Sequence, residues 1–237
     1  MAEKQVVAEA PETIEIVEQA KGFWAKFSKP IIYAGSAIIL LVGGWLGYKN
    51  LVKLPNEEKA AEMLFPAERL FDKMGMQSGF NKDSINLVLN GGKDIPNGVL
   101  KVISKYGGTA AGNDAHYIAG ACYLHSGDFN NAIKHLKDFS TNATQIQASA
   151  YSMLAEASAE LKKNEEAASY FDKAINTNPK DEFLVPVFLF RAGQFAETTG
   201  KTKEAVEYYQ RIKNEYPKSQ PAADIDKYLA KLGVTAD

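Results

Sequence analysis

The 237-residue chain has a single cysteine, Cys122, so no disulfide can form within it and the redox compartment stays open. Its three histidines, His116, His125 and His135, have no metal-ligand spacing with that cysteine. Neither sign of charge dominates: 27 Lys+Arg stand against 29 Asp+Glu, and nothing in the pattern predicts nucleic-acid binding. Walker loops, G-x-S-x-G, H-E-x-x-H and paired Cys-x-x-Cys are all missing. The reading is therefore of a non-enzyme with no catalytic, cofactor or metal site. An enzyme with a site built from scattered residues would need a deep pocket with strongly perturbed carboxylates.

Charge is scarcest in Ile31–Tyr48, where 18 consecutive residues carry none, between Lys29-Pro30 and Lys49. At ~1.5 Å per residue a helix of this length spans roughly 27 Å, close to a bilayer's hydrocarbon thickness. Eight Ile, Leu and Val residues favour insertion enough to offset four glycines. We read a single transmembrane helix over 30–52, in contact with lipid. A buried core helix would show a polar face, and the charged leader is too long for a signal peptide's n-region. Gly35, Gly43, Gly44 and Gly47 form a smooth patch on which another membrane helix can dock. Lys21, Lys26 and Lys29 before the span balance Lys49, Lys53 and Lys59 after it, so charge does not orient it.

Residues 1–29 read as a tail and an interfacial helix. The first ten have little to bury and are expected to be mobile; a helix then runs from Pro11-Glu12 to about Lys29. Its stripe of Ile16, Ala20, Phe23 and Phe27, with Trp24 beside it, suits the membrane surface, with Phe23, Trp24 and Phe27 as anchors.

Beyond the span, Asn56 can cap a neck helix carrying Glu57 and Glu58 in its first turn. Ala60, Leu64, Ala67, Phe71 and Met74 form its apolar stripe, and Pro66 should kink it near Glu62. The glycine-rich stretch to residue 112 leaves room for short helices near 83–90 and 97–106, so 55–112 reads as a neck and degenerate helical repeats.

From residue 113 to 218 the chain repeats itself three times. The units open His116-x-x-Ala119-Gly120-x-x-Tyr123, Tyr151-x-x-Leu154-Ala155-x-x-Ser158 and Leu189-x-x-Ala192-Gly193-x-x-Ala196. Twelve positions after each small residue stands an alanine (Ala132, Ala167, Ala205), and four further on a large apolar residue (Leu136, Phe171, Tyr209). Small residues let a first helix approach a second closely, while large ones fill the gap beside them. Pro179 and Pro217 end the later units, whereas the first has Phe139 and Thr144 at the corresponding places, which leaves its exit geometry open. Ala148 falls between units and should tolerate a larger side chain. An amphipathic helix over 221–232 is the expected cap.

The A-x3-F…P half of each unit, and less fully its L-G-x2-Y half, resembles the tetratricopeptide repeat. That resemblance implies an all-α fold, in which a transmembrane helix is followed by a right-handed α-solenoid. It also implies a groove lined by each unit's first helix: Tyr117, Ala121, Leu124 and His125, then Ser152, Glu156 and Glu160, then Phe190, Gln194 and Glu197. Three glutamates there suggest apolar or basic ligands; the alternative is a solvated helix face.

The order of parts, with segments such as AEMLFPAERLFDKM and YLHSGDFNNAIKHLKDF, resembles the YfgM-like family of bacterial inner-membrane proteins. The resemblance implies a cytoplasmic N-terminus, a periplasmic repeat domain, and an ancillary role at the Sec translocon. Its partners would be translocon subunits, a periplasmic chaperone or a translocating polypeptide. The alternative is a structural scaffold of another envelope or secretion complex.

Overall fold

The computed structural model describes residues 11–234, so the tail over residues 1–10 lies outside them. Among the described residues every regular element is helical. The chain divides into two compact units, residues 1–55 and 56–237.

In the first unit, α1 runs from Pro11 to Tyr48 and a π-helical turn follows over Lys49–Lys53. The break expected at Lys29-Pro30 is absent. Pro30 sits inside α1, and the helix carries the surface stripe and the apolar stretch as one element. Proline removes one backbone hydrogen bond there, while the turns on either side keep theirs. The helix is long and apolar enough to cross a membrane, with a window of mean hydropathy 1.7 and none of it buried. Leu40, Leu41 and Trp45 are 75, 73 and 60% exposed, an arrangement that water alone would not favour.

The second unit begins in α2 (Leu54–Lys73), followed by a π-helical turn over Met74–Ser78. Asn56, expected as a cap, lies inside unbroken helix, because Leu54 is already helical and donates its N–H to the Lys49 carbonyl, so no helix begins there. Pro66 likewise leaves the helix unbroken. Ala60, Leu64, Ala67 and Met74 join one core with α3 (Lys82–Asn90), α4 (Val99–Tyr106) and α5 (Ala110–Ser126). Gly98 makes the sharp entry to α4 possible: a Cβ there would lie 2.3 Å from the carbonyl oxygen of Leu89. The Glu57 carboxylate reaches across to accept the Ala110 N–H at 2.8 Å, tying α2 to the N-terminus of α5.

The rest consists of paired helices: α5 with α6 (Phe129–Asp138), α7 (Thr144–Glu160) with α8 (Asn164–Thr177), and α9 (Leu184–Thr198) with α10 (Thr202–Glu215). The sixteen-residue offset read from the sequence sets each pairing. A Cβ on Gly120 would fall 2.5 Å from Leu136 Cγ, and one on Gly193 would fall 2.4 Å from Tyr209 Cε1. The intervening alanines, Ala132, Ala167 and Ala205, are fully buried.

Unit exits differ for a visible reason. After the shorter α6, Phe139 turns extended and buried, and Asn113 clasps Ser140 through two hydrogen bonds of 3.0 and 3.1 Å. After α8, the buried Asp181 carboxylate accepts from the Phe183 and Leu184 N–H groups and from Gln145, thereby starting α9. Burial works against its charge, but these donors outweigh it and hold the carboxyl below the usual range. Ala148 corrects the expectation that it lies loosely between units. It is 1% exposed, in the core shared by α7 to α10, because each hairpin stacks on the next. The end is covered by a 3₁₀ turn over Pro221–Asp224 and by α11 (Ile225–Lys231), which bury Ile225 and Leu229.

Candidate partner-binding groove

The first helices of the three hairpins, α5, α7 and α9, lie side by side. Residues one and five positions after each unit's small residue form a stripe across them. Glu156, Gln194, His125, Glu160 and Thr198 from this stripe, together with Leu124, line an open cavity of about 580 Å³. Its apolar walls come from Phe129, Phe171 and Phe195.

Of the ten residues assigned to the groove from sequence, the cavity gathers Leu124, His125, Glu156, Glu160 and Gln194. Ala121 and Ser152 are buried. Phe190 stacks into the core, 4.9 Å from Tyr228 edge-on and 6.0 Å from Tyr209. Tyr117 lines a different cavity, packed on Phe139 at 5.1 Å. His125 carries the Phe80 ring stacked over it at 3.7 Å, and its burial lowers its pKa.

The electrostatics differ from the acidic surface expected. Arg191 of α9 forms an ion pair with Glu156 of α7, and the Ser152 hydroxyl donates to the same carboxylate at 3.2 Å. Glu197 accepts from the Tyr209 hydroxyl and the Lys231 ammonium, both at 2.6 Å. Burial opposes its charge, yet these two donors hold the carboxyl below its usual range. Of the three glutamates assigned to the groove from sequence, Glu156 and Glu197 therefore have matched charges, Glu197 does not line the cavity, and the face is an apolar floor with a mixed polar rim. Arg191 is the residue that sequence reasoning missed. A signal was present, since it is the one Lys or Arg on α5, α7 and α9.

In the first unit, a Cβ on Gly35, Gly43, Gly44 or Gly47 would meet nothing within 4 Å. Phe23, Trp24 and Phe27 are 57, 56 and 39% exposed, and the Phe23 and Phe27 rings lie 4.9 Å apart.

Stacked helical hairpins with an apolar-floored groove define a helical-repeat interaction scaffold. Residues 21–233 match the tetratricopeptide repeat-like domain family, and the chain belongs to it. No curated protein matches the sequence.

Proposed function

We propose that the chain is a single-pass protein of a bacterial inner membrane, with its N-terminus cytoplasmic and its repeat domain periplasmic. It acts as an ancillary component of the Sec translocon and the periplasmic chaperone network. In that role it holds translocon subunits, a chaperone or an emerging polypeptide near the membrane. The observation that carries the scaffold reading is the groove of α5, α7 and α9, on the same chain as an unburied apolar helix. The YfgM-like order of segments supports the translocon and the topology.

Protease added to intact spheroplasts should release a fragment of about the repeat domain's size; full protection would reverse the topology. Copurification after mild detergent extraction should recover translocon subunits, and consistent recovery of another envelope complex instead would refute the assignment. Two variants separate the surfaces. Arg191→Glu places a second carboxylate beside Glu156 on an exposed face and should block the groove without unfolding it. Gly43→Leu/Gly47→Leu should keep the protein in the membrane yet reduce recovery, if a membrane helix docks there. Undiminished recovery with the double leucine variant and loss with Arg191→Glu would assign the partner to the groove alone.

A further inference from the structure

A second cavity, of about 430 Å³, lies between α2, the start of α5 and the segment leading into α7, and shares no residue with the groove. Its floor is apolar: Phe71, Tyr117, Ile118 and Phe139, with Ile146 46% exposed at the mouth. Its rim carries Glu68 and Asp72, one turn apart on α2, and Asp114 facing them from α5.

Among the described residues none of these three carboxylates makes an ion pair, although Glu156, Glu197 and Asp226 elsewhere in the unit each have one. Like charges four residues apart on a helix weaken it. Burial and the charges of Asp72 and Asp114 push the Glu68 carboxyl above its usual range, and burial does the same to Asp114. The three do not converge as a metal site would, since no group of acidic residues among the described ones is close enough to hold an ion. A bare cation would also leave the apolar floor wet, and a purely apolar ligand would leave the rim uncompensated. The volume suits a few side chains and not a folded domain.

We infer that this cavity docks a basic amphipathic segment of a partner polypeptide, with an apolar side chain on the floor and a lysine or arginine against Glu68, Asp72 and Asp114. The site is independent of the groove, so either can fail alone.

The test uses the full chain in phosphatidylcholine nanodiscs, with empty nanodiscs as the blank. The probe is a short fluorescent peptide alternating lysine and leucine, followed by anisotropy. The parent should bind it, more weakly as salt rises, while a glutamate-for-lysine peptide should bind at least about tenfold more weakly. Glu68→Gln/Asp72→Asn/Asp114→Asn relieves repulsion, so its melting temperature should stay level or rise while affinity falls about tenfold. Ile146→Ser, at an exposed position, should also weaken binding, and Thr198→Lys, which sets a cation on the exposed rim of the groove against a basic peptide, should leave it unchanged. Parent-like binding by the neutralised variant, equal binding of the acidic peptide, or loss of binding in Thr198→Lys would each overturn the inference. So would a change in the self-association of the neutralised variant without peptide, which would make a second copy of the chain the occupant.

Discussion

Gly193→Ala adds one methyl group where the third hairpin has no room for it. The new Cβ would lie 2.4 Å from Tyr209 Cε1 and 2.9 Å from Cδ1 and Cζ. Tyr209 is fully buried, and its hydroxyl is fixed by a 2.6 Å hydrogen bond to Glu197, so the ring cannot swing aside cheaply. Overpacking of this kind costs about 1–3 kcal/mol. Alanine recovers about 0.8–1 kcal/mol of helix propensity relative to glycine. The net expectation is a loss of about 1 kcal/mol, or about 2–4 °C in the melting temperature of a domain this size. The second hairpin suggests how the strain could be released, since Ala155 already faces Phe171 at the corresponding position without a hydroxyl to pin the ring. Tyr209→Phe should therefore make the alanine easier to accept, and the double variant should lose less than the sum of the singles. Thermal melts of the four proteins by circular dichroism are the assay. A Gly193→Ala melting temperature at or above the parent's would refute the close-approach reasoning.

Ala167→Leu and Ala205→Leu should each cost roughly 1–3 kcal/mol in the same melts, and Ala148→Leu should cost as much because it is equally buried. Glu57→Ala removes the acceptor for the Ala110 N–H and should lower stability by about 0.5–2 kcal/mol, read by urea titration. His116 and His135 approach Nδ1 to Nδ1 at 3.1 Å, and burial lowers both pKa values despite the nearby Asp138 carboxylate. The folded state thus binds these protons less readily than the unfolded chain. Stability should be fully present above about pH 6.5 and decline as pH falls through the lowered folded values. His116→Gln/His135→Gln should flatten the change in melting temperature between pH 7.5 and 5.5, and an unchanged slope would refute the assignment.

What could be read from residues alone is what depends on neighbours along one helix. An uncharged 18-residue stretch has the length and transfer energy of a membrane span wherever the rest of the chain folds. The constant offset from Gly120 to Leu136, Ala155 to Phe171 and Gly193 to Tyr209 encodes a hairpin, because 3.6-residue periodicity carries each side chain to a known face. Local signals misled where two of them overlapped. Lys29-Pro30 and Asn56 look like helix boundaries, yet one proline costs a helix a single hydrogen bond and the flanking turns outweigh it. The character of the groove was decided by stacking. Glu156 meets Arg191 across 35 positions and Glu197 meets Lys231 across 34, so whether each carboxylate is a free charge or a matched one depends on which helices become neighbours. The same holds for Ala148, buried only once one hairpin stacks on the next, and for Glu68, Asp72 and Asp114, brought to one rim because α2 packs beside α5. Periodicity is a property of the covalent chain, whereas the pairing of charges and the burial between hairpins exist only after the chain has closed on itself.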